Sequence, residues 1–382
     1  MRRFLTIRSC AGAACLIAAL LAGSAGALIG ACGPFTDVAA DVFCPFVLEI
    51  FYLGITTGTT ATTYDPTSPV SRLQMAAFLS RTVDRTLQRA GRRAALGQFW
   101  TPQNASVLPT TTLPSQPRLL RSDGTDVWVA NGDNVSRVRG SDGRLLQTWT
   151  GASGAQGVLI AMNHVFATGG VAPGNLYEID PTLAPGAAST VASNLPNLPF
   201  QITFDGARIW TANDATISIV TPGATIPWTV TTVTVGILAP NGILFDGTSI
   251  WETEANGQSL QKLDANGAVL VTVTLGGTPQ NPVFDGANIW TPVSNSVAVV
   301  RATTSALLTT LTGNGLNLPF AAAFDGSRIL VTNLGDSSVS LFKAADLTPL
   351  GNFPTGDSPL AACSDGAAFW ISFAISSRIA RF

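Results

Sequence analysis

The sequence predicts an all-β chain of seven repeated four-stranded units behind a small helical module, and three observations carry that expectation. First, six segments of the 382-residue chain repeat one another: SDGTDVWVAN, FDGARIWTAN, FDGTSIWETE, FDGANIWTPV, FDGSRILVTN and SDGAAFWISF. A weaker seventh copy reads AMNHVFATGG. Second, their aligned large residues Trp128, Phe166, Trp210, Trp251, Trp290, Leu330 and Trp370 are spaced by 38, 44, 41, 39, 40 and 40 residues. Residues 99–382 divided by seven give ~40.6, so seven units fill that stretch. Third, Asp-Gly separates two apolar runs in most units, a strong hairpin signal that suits a type I′ turn because glycine takes positive φ without strain.

Taken from the N-terminus, Arg2, Arg3 and Arg8 precede a small and apolar stretch ending near Ala31, the pattern of an export signal over residues 1–31. Three endings stay open. Ala25-Gly26-Ala27 offers a cleavage site, Ile29-Gly30-Ala31-Cys32 resembles a lipobox that would lipidate Cys32, and the stretch is nearly long enough to remain as an anchor. In an oxidising compartment Cys32 and Cys44 are candidates for a disulfide, which lipidation of Cys32 would forbid. Cys363 is expected as a small buried core residue.

Residues 35–90 read as a helical module. Val42, Phe46, Val47, Ile50 and Phe51 recur at helical spacing. Gly54, Gly58 and a Thr-rich run then break the helix, and Tyr64-Asp65-Pro66 marks a turn. Ser71 is placed to cap a second helix from Arg72. Phe35 and Asp37, the LGITTG connector, the YDP turn and VSRLQMAAFLSR fall in the order of an S-layer homology domain, which this module resembles over about 55 residues. The resemblance implies binding to cell-wall polysaccharide or a peptidoglycan-linked polymer, with Arg72 at the carbohydrate site and Asp37 among the site residues. Gln74 stands where that family has Glu, and one copy is present where three usually form the binding unit, which bears on self-association. Arg81, Arg85, Arg89 and Arg92 continue along one helix face, a basic stripe suited to a solvated surface or to anionic wall polymer. Residues 91–98 read as a linker.

Residues 99–382 form the repeat array. The unit around Trp210 shows four strands: 200–204, 208–212, 216–220 and 228–235, and four strands at this period describe a β-propeller blade. The array resembles the YVTN/NHL-like propellers through its Asp-Gly turns, its aromatic second strands and third strands such as TISIV, SVAVV and SVSLF. The last unit ends at SSRIARF with no fourth strand, and an unpaired edge is an aggregation hazard. Residues 104–113 are therefore expected to supply that strand.

Chemistry is sparse. The repeated Asp123, Asp205, Asp246, Asp285, Asp325 and Asp365 read as turn formers, and the aligned Trp residues as packing between units. The opposite edge collects Asn131, Asp133, Asn213, Asp214, Glu252, Glu254, Asn295, Asn333, Asp336 and Asp357. Asp133, Asp214, Glu254 and Asp336 are the leading candidates there for a ligand site, and their oxygens suit Ca²⁺. His164 is the single histidine, so sites built from several histidines are excluded. It is placed near the turn edge with no nucleophile beside it, and no phosphate loop or G-x-S-x-G sequence occurs. A net charge of −2 with 12% charged residues gives no basic field for nucleic acid. The reading that follows is a non-catalytic envelope protein whose propeller binds an unidentified protein or glycan. The alternatives are a propeller enzyme similar to virginiamycin B lyase, whose family uses histidine with a divalent metal, and a structural surface-layer component.

Overall fold

The computed structural model describes residues 32, 34–38, 43–52, 55–72, 74–79, 82 and 109–382. The chain divides into two units, Met1–Arg89 and Ala90–Phe382. The export segment and Arg81, Arg85, Arg89 and Arg92 lie outside the described residues.

In the first unit, helix α1 (Cys44–Tyr52) lays Val47, Leu48 and Phe51 against Cys32, Phe35, Val38 and Tyr64. Phe35 meets Phe51 edge-on at 5.1 Å and Tyr64 at 5.7 Å. Gly58 takes φ +79°, and a Cβ there would run into the Phe35 ring and the Thr63 carbonyl, so this connector position demands glycine. Cys32 and Cys44 form a disulfide with Cα atoms 5.5 Å apart. The expectation of a lipidated Cys32 is thereby corrected, because its sulfur is already bonded. No helix among the described residues is long and apolar enough to cross a membrane.

The second unit is a β-propeller. Strand β1 (Thr110–Thr112) comes first in the chain but pairs at its far end. A six-stranded sheet follows, with β2 (Pro117–Ser122), β3 (Asp126–Arg139), β4 (Leu145–Ala161), β5 (His164–Gly169), β6 (Gly174–Ile179) and β7 (Ser189–Leu195). Then come β8 (Ile202–Phe204), β9 (Ile209–Ala212), β10 (Ile217–Thr221) and β11 (Thr229–Val233). The next sheet holds β12 (Pro240–Phe245), β13 (Ile250–Glu254), β14 (Ser259–Leu263) and β15 (Val269–Thr274). Strands β16 (Val283–Phe284), β17 (Asn288–Val293), β18 (Ser296–Arg301) and β19 (Ala306–Leu311) form another. Another contains β20 (Pro319–Phe324), β21 (Arg328–Asn333), β22 (Ser338–Lys343) and β23 (Pro349–Pro354). The last is β24 (Pro359–Ser364), β25 (Phe369–Phe373) and β26 (Arg378–Arg381), completed by β1.

Six hydrogen-bonded sheets therefore stand where seven separate four-stranded ones were expected. The reason is local. β3 folds back on itself at Gly132 (φ +65°), its two ends joined by the Asp126–Arg137 ion pair at 2.6 Å and by the Gly140 N–H to Thr125 carbonyl bond at 3.0 Å, and β4 bends at Gly151 and Gly154, so the first two sequence repeats are joined in one sheet. The first arm of this hairpin, to Asn131, pairs with β2, and the second, from Gly132, pairs with β4.

β1 supplies the outer strand of the last sheet, as expected. Thr110, Thr111 and Thr112 pair with Ala380, Ile379 and Arg378. The Leu113 N–H donates to the Ser377 carbonyl at 2.8 Å, and the Arg381 N–H to Pro109 at 3.1 Å. Residues 104–108, also assigned to this strand from sequence, lie outside the described residues.

Each core cluster joins residues of one repeat with residues of the next. Trp128 packs on Val158 and Val165, Phe166 on Ile202 and Ile209, and Trp210 on Ile243 and Ile250. Trp251 meets Ile289 and Val300, and Trp290 meets Ile329 and Phe342. Leu330 meets Phe369 and Ile371, and Trp370 returns to Leu120 and Val127. Each aligned residue thus covers the next repeat, and the last closes onto the first.

Candidate wall-binding module and propeller edge

Asp37 is exposed, but its carboxylate is engaged. It accepts the Tyr64 N–H at 2.9 and 3.0 Å and the Asp65 N–H at 2.7 Å, across 28 residues of chain. Those amide donations hold its pKa below the ordinary aspartate value. Asp37 therefore clamps the YDP turn, in which Asp65 takes φ +61°. Ser71 and Gln74 form a reciprocal cap. The Gln74 N–H donates to Ser71 Oγ at 3.2 Å, and the Ser71 N–H to Gln74 Oε1 at 2.8 Å. Gln74 thus closes the helix start as Glu would. Arg72 follows the cap, exposed, with no ion-pair partner among the described residues.

On the propeller, the turn aspartates do more than form turns. Asp285 Oδ1 accepts the N–H groups of Ala287 and Asn288 at 2.8 and 2.7 Å, while Oδ2 accepts the Trp290 indole N–H at 2.7 Å. Asp123, Asp205, Asp246 and Asp365 receive Trp128, Trp210, Trp251 and Trp370 in the same way, at 2.7–2.9 Å. Where Leu330 replaces Trp, Arg328 Nε takes the free oxygen of Asp325 at 2.8 Å. Cations cover three of the indoles: Arg137 on Trp128, Arg208 on Trp210 and Lys262 on Trp251, each 5.2 Å from the ring centre.

The turn type differs from expectation. In the Asp-Gly hairpins only the glycine has positive φ, from +84° to +98°, whereas type I′ needs two such residues. Met162 and Asn163, at +52° and +61°, supply both in the seventh copy. His164 follows that turn, half-buried, with Nδ1 2.9 Å from the Met162 carbonyl.

The opposite edge is less open than its sequence suggests. Asn131, Asn213 and Asn333 are at most 1% exposed. Each ties its own hairpin, Asn213 Nδ2 donating to Thr216 and Ser218, and Asn333 Nδ2 to Ser338 and Ser340, at 2.9–3.0 Å. Asn131, its amide oriented to donate, reaches Ser136 Oγ at 3.2 Å. Glu254 is also buried, accepting Leu238 N–H and Ala239 N–H at 2.7 Å each. Asp133 is exposed and accepts the Gly154 N–H at 2.9 Å. Asp214 and Asp336 are exposed, the latter accepting the Ser338 hydroxyl at 2.6 Å. Asn295 accepts the Leu318 N–H at 3.0 Å, and Asp357 faces Arg378 at 3.3 Å. The four leading acids come from separate sheets or hairpins. No three His, Cys, Asp or Glu side chains gather among the described residues, so these acids do not fit a Ca²⁺ cage.

Glu252 is fully buried on β13 opposite Gln261 of β14, which donates to its Oε1 at 3.1 Å with the amide so oriented. Its Oε2 has no partner. Burial, reinforced by the Glu254 charge, raises its pKa well above the usual carboxylate value.

Sequence reasoning missed one repeated device. Thr168, Thr332 and Ser372 each accept an N–H from the first strand of their own repeat, from Gly157, Ala321 and Ala361. The same hydroxyls donate to Phe200, Leu360 and Arg118 carbonyls of the next repeat, at 2.7–3.1 Å. The signal was a hydroxyl two residues after the aligned large residue, a spacing that says nothing by itself about the following repeat.

Residues 34–76 match the S-layer homology domain. No curated protein matches the chain. Among solved structures, the WD40 β-propeller domain of Doa1 aligns with TM-score 0.60 at 12% identity, covering 74% of this chain and 97% of that one. Kuenenia stuttgartiensis hydrazine synthase aligns with TM-score 0.60 at 13% identity, covering 71% and 97%. A chain of the mitotic checkpoint complex gives TM-score 0.61 at 13% identity, covering 74% and 96%. Likeness at this identity speaks for fold alone. The chain therefore carries an S-layer homology domain within its first unit, followed by a β-propeller.

Proposed function

We propose that this is a non-catalytic cell-envelope protein, held at the surface by its S-layer homology domain and presenting the propeller as a binding scaffold. The carrying observation is the domain match at residues 34–76, together with an intact Asp37 clamp and Ser71–Gln74 cap around exposed Arg72. In this reading Arg72, together with Arg81 and Arg85, contacts wall polysaccharide or a peptidoglycan-linked polymer. Asp37 serves by fixing the turn. The domain order is an export segment to residue 31, the module over 35–90, a linker over 91–98 and the propeller from 99.

The propeller is read as a seven-membered ring of YVTN/NHL-like type in which the first two blades share a sheet. Support comes from the packing, where seven aligned residues each cover the next repeat and Trp370 covers the first. Asp133, Asp214 and Asp336 remain the rim positions open to a protein or glycan. The test is sedimentation of the intact mature protein with purified cell walls. Retention is expected on walls carrying their secondary polymer and lost on walls stripped of it. Equal retention on both would refute polymer recognition.

A further inference from the structure

Four residues before each turn Asp (Ala161 in the second repeat) the innermost strands carry Leu119, Gly157, Gln201, Gly242, Asn281, Ala321 and Ala361. Five of these, Leu119, Gln201, Asn281, Ala321 and Ala361, line one small cavity. Gln201 Nε2 donates to Asn281 Oδ1 at 2.8 Å, reaching past the glycine of the intervening repeat. The Asn281 backbone is spent on the neighbouring strand, its N–H on Phe320 O and its carbonyl on Ala322 N–H. Asn281 lines the cavity and is 3% exposed, and its Nδ2 has no acceptor among the described residues. A buried N–H of that kind costs about 1–3 kcal/mol unless something accepts from it.

Arg121, two residues past Leu119, lines the same cavity. Arg121 is half-buried. No carboxylate among the described residues pairs with it. The Cys363 thiol, which feels its charge, is kept neutral by burial, its pKa pushed up to about 12. The guanidinium stays charged at any physiological pH, so an unpaired cation and an unspent amide donor share one small space. Ala321 and Ala361 leave that space open to a single small group.

We propose that the propeller channel binds a small monovalent anion of halide size, with Arg121 as its charge partner and Asn281 Nδ2 as its neutral donor. The anion supplies the acceptor that both groups lack. The site is distinct from the wall-binding module and does not depend on it.

The experiment measures thermal unfolding of the intact chain in sodium chloride, sodium bromide and sodium gluconate at constant ionic strength. Chloride and bromide are expected to raise the propeller midpoint saturably, by about 2–4 °C over a hundredfold concentration range, and gluconate to leave it unmoved. Arg121→Gln should abolish the halide response. Equal responses to gluconate and chloride, or a full halide response in Arg121→Gln, would overturn the proposal. Should that variant fail to fold, bromide-soaked crystals of the unaltered protein decide. An anomalous peak within contact of Arg121 and Asn281 supports the site, and a channel without one overturns it.

Discussion

Asp285 and its four counterparts use both carboxylate oxygens, one on two backbone amides of the turn and one on an indole five residues on. Asp285→Ala should destabilise the propeller by about 1–3 kcal/mol in urea unfolding, because it orphans the buried Trp290 N–H along with the turn amides. Acid should have a related effect. Burial of Asp123 and Asp205 opposes ionisation, but hydrogen bonds from the turn amides and the indoles outweigh it, and both pKa values lie below the ordinary aspartate value. A depressed folded pKa gives stability that is full above the unfolded value near ~3.9 and lost as pH falls through the folded one. Glu252 behaves oppositely. Its folded pKa is raised, so its contribution is full below the unfolded value of ~4.3 and declines as pH rises toward the folded one. Glu252→Gln should therefore gain stability relative to the natural protein as pH rises from 5 to 8. Parallel pH profiles for the two proteins would contradict this. The sequence showed the turn aspartates and the packing tryptophans separately, and their constant spacing of five held the bond between them. Nothing in the sequence marked Glu252 or the hairpin asparagines as buried, since burial depends on which repeat packs against which.

At the scale of elements, the Trp210 unit was legible to within a few residues. Strands expected at 200–204, 208–212, 216–220 and 228–235 are found as β8 to β11. Alternation and turn chemistry locate such strands because each buries side chains against neighbouring repeats. The joining of two repeats in one sheet was not legible, because β3 keeps the hairpin its own repeat predicts and the join depends on a pairing distant in sequence, Gly132 with Ala155. Closure by β1 was legible from a count, since the final repeat lacked one strand. Deleting Ser377–Phe382 removes all of β26, leaving β1 without its partner and β25 paired only with β24. That truncation should lose the single sharp thermal transition of the propeller, and its retention would sink the closure scheme. In the first unit, the Cys32–Cys44 bridge closes a loop of 12 residues, which constrains the unfolded chain by about 3 kcal/mol. Cys44→Ser should lower the stability of that unit by a comparable amount while leaving the propeller transition in place.

Across the whole molecule, charge and function are divided. Most propeller acids are spent on turns, hairpins and amide caps, while the Arg-rich segment belongs to the N-terminal unit. The family landmarks of that unit were readable because Phe35, Gly58, Asp37 and the Ser71 cap are each fixed by a local steric or hydrogen-bonding demand. The ligand of the propeller was not readable, because five of the ten polar residues expected at its rim, Asn131, Asn213, Glu252, Glu254 and Asn333, are buried. The central claim is that wall attachment resides in the S-layer homology domain and runs through Arg72. Its most direct test is co-sedimentation of the intact mature protein and its Arg72→Glu variant with purified cell walls, after matched thermal transitions show both are folded. A loss of at least ~10-fold in apparent affinity for the variant is predicted, as for removal of a charge-assisted contact. Unchanged binding by Arg72→Glu would contradict the claim.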